Sequence, residues 1–545
     1  QRQMCIRDSL NTGGAFDFTG ANLTFKTASA DNTIGGDVDI DVSASGQLTT
    51  EDNANLQVAG TFSQTGGGTV DLGADVLAGD TIDFAGDITL KQNGILLQNA
   101  SGDIVLQGTV SGGAHDLTVT STAGVTFGGG VGTGGLTSLS SLTVSGLTIA
   151  IQGNGVRTVG AQSYTGAVSI GTGLAVTTTT LATLGGSVTF SGASSTIDGP
   201  GGFKSLVIDA GAGAVTLDGA VGSTVSLSAF TVTGATTAIN GASVRTVGAQ
   251  SYFSDITLGT DTTLTGSTMT MDGTVTGGGN SLAIDGAVGF GGGNAVFNGV
   301  VSGLSTLSVI NATTINTTGI TTSGAQTYTG AVTLGANAIL DAGAGNLVTF
   351  GSTIAGGGAR SLQVGTGGSA SNAQFGGVVN GLTTLTVNGT TAIDTTGITT
   401  SGAQTYSGAA TLGDDAVLTA TTAIFGSTLN GAKTLGVTGN AVFAGLVGNG
   451  QALLGLSVSG TTAINTTSIT TDGAQTYQGA VTASTVSFAA GNNGNIDLSN
   501  AANDFTGAVS ITSGKGVTLR DVNALSLAGA ATTSGQVFIA GGNLT

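Results

Sequence analysis

The chain holds one histidine, His115, and one cysteine, Cys5, so the side chains that most often carry acid–base and nucleophilic chemistry near neutral pH are almost absent. His115 precedes Asp116 and follows Ser111-Gly112-Gly113, which collects the residue types of a Ser-His-Asp triad in one short segment. A triad needs its histidine to face both partners, whereas neighbours on a strand point to opposite faces; the segment reads better as a turn opening the strand Leu117-Thr118-Val119. Asp37, Asp39 and Asp41 alternate with Val38, Ile40 and Val42, and a strand would set the three carboxylates on one face. A calcium ion could bridge such a row, but a solvated face is the better reading, and the Gly-Gly-x-Gly-x-Asp nonapeptide of calcium-binding β-rolls is not repeated. Polysaccharide lyases and glycosidases gather acidic and basic groups in one groove, while Arg157, Arg245, Arg360 and Arg520 are scattered. Arg157 and Arg245 both stand in Val-Arg-Thr-Val-Gly-Ala-Gln-Ser-Tyr, which duplication explains more simply than a repeated ligand site. No catalytic, cofactor-binding or metal-ligating residue is assigned, no cofactor is expected, ligand-binding residues stay open, and the chain is read as not an enzyme.

Composition sets the elements that would have to position any such group. Gly accounts for 99 of 545 residues, against roughly 7% in ordinary chains. With 39% hydrophobic residues and one proline, the sequence fits neither collagen nor a disordered linker. Glutamate occurs once, as Glu51, and lysine only at Lys26, Lys91, Lys204, Lys433 and Lys515. The residues that normally cover helices are therefore missing, and Thr, Val, Ser, Ala and Gly alternate in short runs broken by Gly-Gly, Asn-Gly and Asp-Gly. That pattern predicts an all-β chain. The net charge of −19, with no basic cluster, argues against nucleic acid and anionic membrane as partners and favours solubility. One cysteine excludes a disulfide framework and a Cys-based zinc site. No apolar run is long enough for a transmembrane helix, and no signal-peptide pattern is present.

Glycine is consumed by a repeat. Gly-Ala-Gln-Ser/Thr-Tyr ends at Tyr164, Tyr252, Tyr328, Tyr406 and Tyr477, which are all the tyrosines of the chain, at intervals of 88, 76, 78 and 71 residues. A Thr-rich leader such as Thr390-Thr391-Ala392-Ile393-Asp394 precedes the motif, Gly-Ala-Val usually follows it, and Leu-x-Val phrases such as Leu385-Thr386-Val387 recur. The second unit departs, with Tyr252-Phe253-Ser254-Asp255 after the motif. Such a period is too long for one solenoid coil and fits three or four coils of roughly 20 to 25 residues, or about 25 turns if residues 10–545 all coil. Parallel coils stacked at about 4.8 Å would put like residues in ladders, with Gly, Asn and Asp at the corners. Phe127, Phe190, Phe350 and Phe425 each precede a glycine and read as inward rings before a corner, not as an exposed strip for sugar. The tyrosine hydroxyl needs a partner, so the rim of a coil is expected. Ice binding would require Thr-x-Thr on every coil, whereas the Thr clusters peak once per unit.

The phrase from Gly324 to Leu334, Gly-Ala-Gln-Thr-Tyr-Thr-Gly-Ala-Val-Thr-Leu, with its leader, resembles the repeats of large bacterial exoproteins of the filamentous haemagglutinin and autotransporter-adhesin type. The resemblance covers about residues 150 to 490 for the phrase and residues 10 to 545 in general style. It implies a right-handed parallel β-helix, export across an outer membrane with the help of a partner or barrel, an extracellular or cell-surface location, and a role in adhesion, aggregation or biofilm contact with an unidentified receptor. Neither a two-partner secretion domain nor an aromatic-ended barrel is present to fix the route. Residues 1–9 differ in style and read as a non-native tail, 10–150 as irregular coils, and 151–545 as the solenoid with five units; both ends read as interrupted. The function expected is a structural shaft, and the runner-up is a carbohydrate-active β-helix enzyme.

Overall fold

A computed structural model describes residues 3–6, 10–26, 30–133, 138–171, 176–201, 204–286, 292–530 and 535–542. It is all-β, a right-handed parallel β-solenoid of about 24 turns, and no helix occurs among the described residues. Two compact units are distinguished, Gln1–Gly278 with Asp285–Gly292, and Gly279–Ile284 with Gly293–Thr545.

A coil of the second unit shows how the sequence makes the fold. Gly319–Thr322, Gln326–Tyr328 and Val332–Leu334 are three short strands separated by corners. The next coil lays Ile339 and Leu340 on Gly319 and Ile320, Phe350 on Tyr328 and Ile354 on Val332, all in parallel register. In the first unit Phe62–Thr65, Thr69–Leu72 and Val76–Ala78 are covered in the same way by the coil containing Ile82, Ile88 and Leu97. Strands of three or four residues suffice because each is hydrogen-bonded on both sides, and their alternating burial (Val332 and Leu334 in, Thr333 out) follows from the period of two. Apolar side chains of one coil cover those of the next, so the core is a stack of ladders. Val144, Tyr164, Phe190, Leu217 and Ile239 form one such column, each at most 1% exposed. Phe127, Phe190, Phe350 and Phe425 are all inward and buried as expected.

Glycine is required at two of the places where a long strand bends around a corner. Gly166 (φ +135°) and Gly439 (φ +124°) have left-handed backbones, and a Cβ there would run into the carbonyl oxygens of Gly146 and Ala420 in the preceding coil. Both the conformation and the close approach exclude other residues.

Gln3–Ile6, inside the segment set aside as a tail, is a strand paired in parallel with Asn22–Phe25, and Ile6 is buried; residues 1, 2 and 7–9 lie outside the described residues, as do 543–545 at the other end. Strand Leu142–Ile151 runs across the expected boundary at 150, because coils on both sides of it stack by the same rule.

Candidate functional site

The constellation that recurs in all five repeats is built on the repeated motif. Gln and Tyr stand two apart on a strand, so both side chains point the same way, and that way is inward: Gln162, Gln250, Gln326, Gln404 and Gln475 are fully buried, and the five tyrosines are at most 1% exposed. The tyrosine is therefore not at the rim. Its partner travels with it: each Tyr hydroxyl donates to the Oε1 of the Gln two residues earlier, at 2.8–3.2 Å. The Gln Nε2 in turn donates to the carbonyl six residues back, of Val156, Val244, Ile320, Ile398 or Ile469, at 2.9–3.3 Å. It also donates to a carbonyl of the next coil, of Ala182, Thr265, Asp341, Thr419 or Ala489, at 2.7–3.0 Å.

A third member completes the clip. Thr158, Thr246, Thr322, Thr400 and Thr471, each four residues before the Gln, lie 3.2–3.5 Å from its Nε2 and donate to the carbonyl of the Gly two residues on. The working motif is thus Thr-x-Gly-Ala-Gln-Ser/Thr-Tyr, one residue pair longer than the recurring phrase first suggests. Burial pushes the pKa of every tyrosine far up, because the phenolate would lose its water and face only a carbonyl-type acceptor. A neutral, internally satisfied network of this kind holds a corner; it offers no proton or open face to a substrate.

The repeat is not a whole number of coils. Tyr328 is followed up its column by Phe350, Phe375, Ile393 and Leu412, and Tyr406 falls between the last two, 13 residues into a coil of 19 (406−393 and 412−393). The same phase holds for Tyr252 between Ile239 and Leu258, for Tyr328 between Ile315 and Leu334, and for Tyr477 between Ile464 and Ala483. Each unit spans three and two-thirds coils, so successive clips lie on different faces. Above the tyrosine come stacked rings: Tyr328–Phe350–Phe375 with centroids 5.6 and 5.5 Å apart, and Tyr406–Phe425–Phe443 with centroids 5.3 and 5.6 Å apart.

The other candidates are not brought together. His115 lies in a turn before Leu117–Thr120, its backbone bonded to Gly112 and Ser140, and Asp116 accepts from Ser141 Oγ at 2.6 Å instead. Asp37, Asp39 and Asp41 are exposed on one face; Asp39 stacks beside Asp17, Asp37 accepts the Thr61 N–H of the next coil, and among the described residues no group of three metal-ligating side chains converges. Arg157, Arg245 and Arg520 are exposed and Arg360 half-buried, each on a separate strand.

Several open grooves lie on the surface. One, of about 480 Å³, runs over Val417, Gly436, Leu454 and Ser457 and is mostly apolar. Another, of about 420 Å³, is lined by Thr49, Thr50, Glu51, Asp52, Asp71 and Lys91, and its charges are paired, Lys26 with Glu51 at 3.2 Å and Lys91 with Asp71 at 3.1 Å. Among the described residues no helix is long and apolar enough to cross a membrane. No protein-family model, no curated protein and no solved structure matches the chain.

Proposed function

We propose that this chain is the shaft of a secreted or surface-exposed bacterial exoprotein of the adhesin type, acting by contact and spacing instead of by catalysis. The observation that carries the reading is the use made of the polar residues. The buried ones recur as closed hydrogen-bonded clips, and the corner carboxylates are occupied by backbone N–H groups of the next coil, as with Asp87 on Thr109, Asp103 on Gly124 and Asp415 on Thr434. Chemistry-bearing side chains are thus committed to holding coils together. An additive stack of this kind folds progressively and needs no cofactor, which suits export in an unfolded state with a partner or barrel supplied by other sequence.

The test is to display residues 10–545 on a non-adherent bacterium and measure autoaggregation and attachment to abiotic and host-cell surfaces. Increased attachment or aggregation is the expected result, and none on any surface removes the reading. A second reading, a carbohydrate-active enzyme, draws on the groove where the sole glutamate meets Asp71 and Lys91. Release of reducing ends or unsaturated sugars from a polysaccharide panel, abolished by Glu51→Gln or Asp71→Asn, would favour it over the shaft.

A further inference from the structure

We infer that the five Thr-x-Gly-Ala-Gln-Ser/Thr-Tyr clips are the folding nuclei of the solenoid, each ordering its own corner before the coils between clips add to it. This goes beyond the shaft reading and does not depend on it. The argument begins with sequence separation. Within a clip the bonds join residues two, four and six apart, as from Tyr406 to Gln404, from Gln404 to Thr400 and from Gln404 to Ile398. The bond to the next coil spans 15 residues in three clips, 14 in the last and 20 in the first. Except against the first clip, backbone pairing along the columns spans more, as with 19 residues for Ile393 on Leu412 and 25 for Phe350 on Phe375 (412−393 and 375−350). The entropy lost on closing a loop grows with its length, and contacts local in sequence form first for that reason.

The clip also has the intrinsic stability that a nucleus in a one-dimensional stack requires. It bonds a Gln, a Tyr and a Thr to one another and to the chain while burying the largest side chains of the core. Other short-range side-chain bonds do not form a recurring network: Asp497 to the Ser499 N–H is single and exposed, and Asn503 Nδ2 to the Leu498 carbonyl is buried but occurs in one coil. Between clips, residues such as Phe443, Leu435 and Val447 are apolar and buried, and they gain shelter only when the neighbouring coils are already in place. Once formed, a clip presents the Tyr ring on which the next coil's Phe stacks, as Phe425 does on Tyr406.

Pulse-labelling hydrogen exchange during refolding of the whole chain from denaturant tests this. Segments 398–425 and 469–489, which contain two clips, are expected to gain protection about tenfold sooner than 429–464 between them. Gln404→Leu is expected to slow protection of 398–425 by about tenfold while leaving 469–489 unchanged, whereas Phe443→Ala accelerates unfolding without delaying 398–425. Simultaneous or reversed protection of the segments in the unsubstituted chain overturns the inference. So does a Gln404→Leu chain that refolds at the ordinary rate and only unfolds faster. Should Gln404→Leu leave its coil unfolded, the order in the unsubstituted chain decides alone.

Discussion

Thr313, Thr391 and Thr462 occupy the same place in three units, buried in the core with no hydrogen-bond partner for the hydroxyl. The corresponding Thr237 has one, Ser254 Oγ at 2.6 Å. The difference traces to one residue, since the second unit carries Ser254 where the others have Gly330, Gly408 and Gly479. An unpaired buried hydroxyl costs free energy, and an apolar group of the same shape does not. Thr391→Val is therefore expected to stabilise its coil by up to about 1 kcal/mol, and Thr237→Val to destabilise by about 1–2 kcal/mol because Ser254 is left alone; hydrogen exchange of the two coils reads both. The tyrosines give a second prediction. All five are buried with raised pKa values, so the folded chain keeps them neutral while the unfolded chain ionises near pH 10. Their contribution is complete below that pH and is lost as pH rises above it, by about 1.4 kcal/mol per tyrosine per pH unit. Ultraviolet titration should show no tyrosinate until the chain unfolds, and then all five together with the far-ultraviolet signal; early, gradual titration would mean the clips are open to solvent.

At the scale of the element, corners and ring ladders behave differently. Three carboxylates that accept backbone N–H groups are held below the usual range. Asp255 is lowered by the main-chain and side-chain hydrogen bonds of Thr274, and Asp415 by those of Thr434, with Lys433 adding to it. For Asp341 partial burial acts upward, but donation from Ser369, Gly343, Ser371 and Thr366 prevails and the net shift is down. A depressed folded pKa stabilises above the unfolded value, near 3.9, and that stability disappears as pH falls through the lower folded value. Melting temperature should therefore fall as pH drops below about 4, and Asp415→Asn should lower it by less in strong acid than at pH 7, because protonation progressively removes the advantage of the native carboxylate. Ladders respond instead to volume. Phe375 sits at the end of a parallel ring stack, 2° from Phe350 in plane, and is fully buried. Phe375→Ala is expected to cost about 3–5 kcal/mol, read as loss of protection in the coils containing Phe350 and Ile393 and not in distant ones.

For the whole molecule, the repeat length of three and two-thirds coils has a consequence for how the chain can vary. Removing residues 329–406 joins Tyr328 to Ser407 in the same phase of the coil, so the following strand meets a preceding coil much like its own. A deletion of 329–397 joins Tyr328 to Ile398 out of phase and turns inward residues outward, since register is fixed by the period of two. The first variant is expected to keep its circular dichroism per residue and its cooperativity, and the second to lose structure after the junction. Because successive repeats are offset by about a third of a coil, a surface feature carried by two neighbouring repeats falls on different faces of the coil. Unfolding of such a stack is a sum of neighbour terms, and calorimetric and van't Hoff enthalpies are expected to disagree.

The all-β character, the parallel coils and the inward rings at Phe127, Phe190, Phe350 and Phe425 were legible in the sequence because they depend on local pattern: period two along a strand, glycine at corners, and a motif repeated five times. Gln and Tyr two apart already share a strand face, so their pairing was implicit there, as was the Thr that recurs four residues before each Gln. The direction in which that face points was not. Local pattern leaves an inward and an outward tyrosine equally able to find a partner, and only the stack decides, because the carbonyls that Gln404 bonds belong to Ile398 and, 15 residues on, to Thr419 of the next coil. The face to which each unit returns was likewise invisible, since insertions in the middle of a unit change the interval between motifs without changing the phase at which one coil closes over another.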